Sequence, residues 1–436
     1  MSLNLQLKPT INSMAYYYPI NTRGDSDGID WDILTNLFIC ELYGIEIVKP
    51  LKLKEQLVNF EESCQLTFFQ MLDDPKAWNI LKKIYFEDRN IAAISPKLRI
   101  YSLSDNIEKS NAEKRFLGFM RNLFCPKKIY ENKLDNLNFI EKTIAEIFDK
   151  EFSTKSPSQS KVVNYFPAMV NRYAEDLEFL TQYPKYFLEN IQLFLKTFIF
   201  AYSTQLALTI NNWRDYQDDK IAECYFILDF EKASKERTLL QKGYKSVDRG
   251  LNSIFPILSM TESLQNNLED KQPLWMFRNR FEEINLDDLI IYCKDFANYK
   301  GLSLKQDNFS THLDIFNELE RLFKAQFSKN EVRNLHEVNY KITNAIKKIV
   351  LEPFVKNRGS VGKIFAVNQE YLLLLTNLSI GNRDKLRLYE LIQEFEKRGF
   401  FFDKESYKAL VVFYERLGNV EKMSDSGDAI YVKKTI

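Results

Sequence analysis

The chain has 436 residues, 45% hydrophobic and 28% charged, and its 60 basic residues balance 60 acidic ones. That length holds roughly two to four domains, each able to bury a core. The zero formal charge argues against a chain that grips duplex DNA through a general basic excess, so such a contact would need a local patch or a basic partner. In chain order, the first candidate element follows the loop Asn21 to Gly28. Asp25, Asp27 and Asp30 suggest a calcium loop, but the later Asp/Asn and the terminal Glu of an EF-hand are missing. The expected reading is a surface turn, with Asp30 capping a helix that starts near Trp31 and carries Ile33, Leu34, Leu37 and Phe38.

From Leu51 to about Lys155 the pattern is mainly helical, broken near Asp74-Pro75 and Ser95-Pro96, and the Ser/Pro stretch from Phe152 to Gln159 reads as a linker. Leu188, Ile191, Phe194, Leu195, Phe198 and Ile199 then follow a helical period. The longest uncharged stretch, between Lys196 and Arg214, contains Ser203, Thr204, Gln205 and Asn211 and is short for a membrane span, which predicts a buried helix. Tyr225 to Phe230 is a strand-like apolar run, and helices dominate again from Leu286 to Phe354. Near the end, Asp384 to Arg398 predicts an amphipathic helix closed by Gly399, and Glu405 to Leu417 a second one. Residues around a Ser/Asp/Gly turn from Val420 to Lys434 predict two short strands. This is a helix–helix–wing pattern. The fold expected is mainly α and multidomain, with a C-terminal winged-helix-like (α+β) module. Its parts are a mostly helical domain over 1–152, a central mostly helical domain over 160–380 with a short strand near 222–230, and the module over 384–436.

Five cysteines (Cys40, Cys64, Cys125, Cys224, Cys293) stand apart, which points to reduced structural thiols in a cytoplasmic protein. His312 and His336 are the only histidines, so no histidine-rich metal site is expected. The polar start from Asn4 to Pro9 lacks a signal-peptide pattern, and no cofactor, metal or membrane association is predicted. The 34 Phe and 23 Tyr are what packed helix interfaces would use.

Three places bear on function. Arg358-Gly359-Ser360-Val361-Gly362-Lys363 has the glycines and lysine of a phosphate loop, but Ile364 follows where a hydroxyl should hold magnesium, which disfavours an ATPase. The window around it is the best local basic patch. Lys341, Lys347, Lys348, Lys356, Arg358 and Lys363 face the single acid Glu352 and are candidates for nucleic-acid contact or an ordinary solvated face. At the end of the strand-like run, Asp229 and Glu231 with Lys235 offer the acids and lysine of a metal-dependent nuclease. The usual Glu-x-Lys partner is absent, and ion pairs that shape a loop are the favoured reading. In the terminal module Leu388, Leu391, Ile392 and Phe395 form one core stripe, and Leu410, Val411, Tyr414 and Leu417 another. Lys408, Arg416, Lys433 and Lys434 are left as outward candidates for nucleic acid. Ten basic and ten acidic residues from Asp384 to Ile436 make docking onto a protein fit at least as well.

Three segments carry a resemblance. They are Phe226-Ile227-Leu228-Asp229-Phe230-Glu231 through Lys235 with Gly243-Tyr244-Lys245; Val361-Gly362-Lys363 leading into Asn368 to Leu378; and Lys422 to Lys433. In these the C-terminal half resembles the DptG family of bacterial DNA phosphorothioation-dependent restriction proteins. The resemblance implies an antiviral role beside DptF-like and DptH-like partners, restricting DNA whose backbone lacks sulfur. A partner would supply the motor, and this chain would scaffold or recruit without catalytic activity of its own, meeting double-stranded DNA through the complex. The alternatives are a divergent metal-dependent nuclease subunit and a stand-alone DNA-binding regulator.

Overall fold

The computed structural model describes residues 8, 12–20, 28–46, 50–72, 75–103, 111–124, 130–131, 133–134, 136–152, 164–218, 220–234, 236–306, 308–328, 335–422 and 430–436. The chain is mostly helical and divides into two compact units, with mixed β-sheets beside helices in its C-terminal region. The smaller unit comprises 29–160 and 177–195, and the larger 1–28, 161–176 and 196–436. The predicted linker lies almost wholly outside the described residues, and Asp25, Asp27, Lys235 and Cys125 lie outside them too.

The smaller unit holds α1 (Trp31–Leu42), α2 (Pro50–Leu72), α3 (Pro75–Leu81), α4 (Ile91–Ile94), α5 (Asn111–Phe124) and α6 (Phe139–Glu151). Asp30 starts α1 as expected, its carboxylate accepting the Asp32 and Ile33 N–H groups. Asn138 and Glu141 form a reciprocal capping box at the start of α6. Phe60 of α2 meets Phe148 of α6 edge-on at 5.4 Å, so aromatic rings fill this core.

Helices α7 (Pro167–Thr181) and α8 (Pro184–Thr209) each contribute residues to both units. The helical stretch Pro184–Asn212 is long and apolar enough to cross a membrane, and 83% of its most apolar window is buried within the protein. In the larger unit follow β1 (Tyr225–Leu228), α9 (Tyr244–Leu264), α10 (Leu274–Phe277), α11 (Leu286–Lys300), α12 (His312–Ala325) and α13 (Leu335–Ile346). Then come β2 (Val355–Asn357), β3 (Lys363–Val367), α14 (Gln369–Ile380), β4 (Lys385–Arg387), α15 (Leu388–Glu396), β5 (Phe401–Phe402), α16 (Lys404–Leu417), β6 (Val420–Lys422) and β7 (Ile430–Lys433).

One sheet has the order β2-β3-β1-β5, with β1 parallel to both β3 and β5 and β2 antiparallel at the edge. The side chain of Gln205 holds the chain entering β1 by exchanging two hydrogen bonds of 2.9 Å with the Ala222 backbone. Against this sheet Phe200 packs on Phe354 at 4.1 Å and Phe365 at 5.0 Å, while Phe226 meets Phe400 at 4.8 Å. Phenylalanine thus supplies the core under the sheet.

The second sheet, of order β4-β7-β6, is antiparallel. Here two expectations need correction. The segment read as one helix from Asp384 to Arg398 begins with β4, because Lys385, Leu386 and Arg387 pair with Lys433, Val432 and Tyr431 and the helix starts only at Leu388. Leu417, assigned to the core stripe, is 39% exposed at the last turn of α16, whereas Leu410 and Tyr414 are buried. The segment 384–436 also shares a sheet with β1 through β5.

Candidate nucleic-acid interface

The carboxyl end of β1 is set by its neighbours. After Leu228 the chain bends, and the Asp229 N–H still bonds the Val367 carbonyl at 2.9 Å. Arg358, from the glycine loop between β2 and β3, reaches the Asp229 carboxylate at 3.3 Å and also donates to its backbone carbonyl. Lys356 stands 3.7 Å from the same carboxylate. Glu231 turns the other way: its carboxylate accepts from the Leu228 N–H at 2.7 Å, from Arg237 at 2.9 Å and from the Ser406 hydroxyl at 3.1 Å.

Arg237 also holds Asp403 at 2.6 and 2.8 Å and donates to Ser406 at 2.8 Å, tying the strand end to the start of α16. Asp403 caps that helix through the Ser406 N–H at 3.0 Å. Burial alone would raise the Asp403 carboxyl; the bonds from Arg237 and Ser406 outweigh it and hold the group below the usual carboxylate value. A lowered carboxylate stabilises the fold above the unfolded value of about 3.9, and the contribution is lost as pH falls through the folded value. Asp403→Asn is therefore expected to melt lower than the parent at neutral pH, with the gap narrowing as the pH falls below the unfolded value of about 3.9 in a series of thermal melts.

The two acids of the nuclease alternative thus sit in separate ion-pair networks, Asp229 with Lys356 and Arg358, Glu231 with Arg237 and Ser406. Lys235 lies outside the described residues. Among the described residues no three His, Cys, Asp or Glu side chains gather as a metal site. Cys40, Cys64, Cys224 and Cys293 are buried and unbridged, and burial pushes the Cys40 and Cys293 thiols up to about 12. His312 makes a 2.8 Å bond through Nε2 with the Ile284 carbonyl.

The basic window divides. Lys356 and Arg358 turn onto Asp229, whereas Lys347, Lys348 and Lys363 line a recess of about 470 Å³ with Tyr244, Asn344, Glu352 and Asn357. Lys347 is paired with Asp248 at 2.6 Å, and the Lys363 ammonium lies over the Tyr244 ring at 5.8 Å. A second recess of about 160 Å³ shares Lys363 and is lined by Arg237, Gln241, Lys245 and Ser360. Lys245 and Lys363 are exposed and make no ion pair among the described residues. Gly359 and Gly362 adopt positive φ in the connecting loop, and open space surrounds both Cα atoms. Cationic side chains and an accessible glycine backbone beside two recesses are what a phosphodiester needs. Lys341 lies on the exposed side of α13, seven residues before Lys348.

Tyr244 and Lys245 extend this groove beyond the basic window. Gly243 precedes them in close quarters, since a Cβ there would stand 2.4 Å from the Tyr225 carbonyl oxygen. The Gly-Tyr-Lys triplet is a basic signal in the sequence, but only the β1–β3 pairing brings it to Lys363.

In the terminal region the basic candidates have local partners. Lys408 pairs with Glu405 at 3.0 Å, Lys433 with Glu421 at 3.0 Å, and Lys434 donates to the Gly381 carbonyl at 3.2 Å. Arg416 is exposed at the end of α16, one residue before Leu417, and Val412 is 42% exposed on the same helix. No protein-family model matches this chain, and no curated protein is significantly similar to it.

Proposed function

We propose that this chain is a non-motor scaffold or recruitment subunit of a DNA-restriction complex of the phosphorothioation-dependent type. It joins DptF-like and DptH-like partners in the cytoplasm and contacts the DNA backbone through the groove around Lys363. The observation that carries the DNA contact is the convergence of Lys245, Lys347, Lys348 and Lys363 from three separate parts of the chain on two adjoining recesses. Support for a non-motor role comes from the glycine loop, which joins two antiparallel strands. A nucleotide loop would run from a strand into a helix whose N-terminus faces the phosphates.

The succession α14, β4, α15, β5, α16, β6, β7, with strand order β4-β7-β6 in its own sheet, supports a winged-helix module. Its basic side chains are largely matched by its own acids, and the exposed face of α16 presents Val412 beside Arg416, which favours docking onto protein over DNA. Deleting the module would be a poor test, since β5 is a strand of the β1 sheet. The test is co-expression with the two partner proteins, followed by DNA binding of the purified complex across a salt series. Val412→Asp with Arg416→Glu should release the partners. Replacing Lys245, Lys348 and Lys363 by Gln should leave the complex assembled and flatten the salt dependence by roughly three units of slope. A complex that forms with the α16 variant, or a salt slope unchanged in the lysine variant, rejects the corresponding half of the proposal.

A further inference from the structure

The smaller recess has two kinds of wall, and a DNA backbone accounts for only one of them. Lys245 and Lys363 line it from two separate segments, both exposed and neither in an ion pair among the described residues. Leu240 and Ile364 line it as well. They are buried and form a cluster with Ile227 and Ala366, against which Val361 packs. Among the described residues no acid lines this recess, whereas Glu352 lines the larger one that shares Lys363.

Arg237 is a third cation in the lining, but its guanidinium is already engaged by Glu231, Asp403 and Ser406. The charge open to a ligand is therefore that of the two lysines. Ser234, Gln241 and Ser360 complete the polar wall. The Ser234 hydroxyl accepts the Glu236 N–H at 3.2 Å and keeps its own proton to donate. A phosphate over leucine, valine and isoleucine side chains would give up water and gain no bond there. Intact duplex offers the apolar wall nothing better, because its base faces are stacked inside the helix. A base out of the stack brings an apolar ring face, polar edges and a nearby phosphate, the three chemistries this lining provides. At about 160 Å³ the recess is smaller than the roughly 300–1,000 Å³ of sites that enclose a whole drug-sized ligand, so it suits a single ring.

We propose that the smaller recess takes one unpaired nucleotide of a DNA strand, its base on Leu240, Val361 and Ile364 and its phosphate between Lys245 and Lys363. This rests on the DNA contact inferred above and adds to it a preference for single-stranded or frayed DNA over intact duplex. Because Lys363 lines both recesses, the strand continues from it into the larger one, past Lys347 and Lys348. Serine hydroxyls and a glutamine carboxamide both donate and accept, so the polar wall suits the edges of more than one base.

The experiment is fluorescence anisotropy of the full-length chain with three DNAs: a labelled single strand, the same sequence as a blunt duplex, and the same strand made abasic throughout. The intact strand should bind about tenfold or more tightly than either of the others, since a duplex must first unpair a base and an abasic strand has none to insert. Val361→Trp, which fills the recess, should abolish that preference, with a circular dichroism melt to show that the variant is folded. The comparison of the three DNAs on the parent stands whether or not that variant folds. Equal affinity for strand and duplex, both weakened by Lys363→Gln, overturns the inference and leaves the backbone contact in place. Binding to none of the three DNAs overturns both. Equal affinity for intact and abasic strands overturns the inference alone, as does a folded Val361→Trp that keeps the preference. Displacement of the strand by an equal concentration of a deoxynucleoside monophosphate overturns it in favour of a free nucleotide.

Discussion

Gly250→Ala is expected to cost the larger unit more than about 3 kcal/mol, the upper end for an overpacked core, and to leave little soluble folded protein. A Cβ built at Gly250 of α9 would lie 1.9 Å from the Ala207 carbonyl oxygen and 2.6 Å from its carbonyl carbon. Both atoms are backbone of α8, so no rotamer change relieves the clash and the two helix axes must separate. Separation would open the contacts that Phe255, Leu251 and Ile254 make in the same buried stretch, all of which are at most 1% exposed. The control is Gly118→Ala in α5, where a Cβ meets nothing within 4 Å. There the substitution removes backbone freedom from the unfolded chain and should stabilise by about 0.5–1 kcal/mol. Thermal melts of the two variants should move in opposite directions. Equal, small shifts would mean that α8 and α9 do not cross at this glycine.

Gly250 also shows what the sequence could convey. A lone glycine in a helical pattern is visible, but the reason for it is a backbone from another helix. Elements carried by local chemistry were legible: Asp30 ahead of Trp31, the periodic run through Phe198, and α16 from its spacing of Leu410 and Tyr414. The short strands were not. β2, β4 and β5 have three, three and two residues, too few to show alternation, and β4 continues into α15 without a break in the apolar pattern. β4 and β5 exist because partners remote in sequence pair with them, Val432 with Leu386 and Phe226 with Phe402, as Ile227 pairs with Ala366 in the parallel sheet. The site divides in the same way. Lys347, Lys348 and Lys363 were readable as a basic run, whereas Lys245 joins them only through that pairing. An acid after a strand looks the same in sequence whether it serves a metal or an arginine. For Asp229 the position of Arg358 across the sheet decides it, and no local signal announces that position.

Arg398→Met should be the most damaging charge change in the chain, at about 3–5 kcal/mol. The guanidinium is 3% exposed and bonds the Asp176 carboxylate at 2.6 and 2.8 Å, Glu394 at 2.9 Å, and the Glu394 and Leu378 carbonyls at 2.8 and 3.3 Å. Its position follows from the turn after α15, closed by Gly399 at positive φ. Burial lowers the tendency of Arg398 to hold its proton, but the two carboxylates more than offset that and keep it charged. Without it, Asp176 remains buried with no cation in contact, and most of the loss comes from that stranded charge rather than from the net worth of the pair. Two consequences separate this account from simple loss of packing. First, Asp176→Leu added to Arg398→Met should recover much of the stability, because the stranded charge is gone. Second, burial already pushes the Asp176 carboxyl above its ordinary value, with Arg398 opposing, so removing the arginine raises it further. A carboxyl raised in the folded state binds its proton more readily there than in the unfolded chain, so lowering the pH favours the fold. The deficit of Arg398→Met relative to the parent should accordingly narrow between neutral pH and about pH 5 in urea titrations. A deficit constant over that range, together with no rescue by Asp176→Leu, would assign the loss to the cavity left by the side chain.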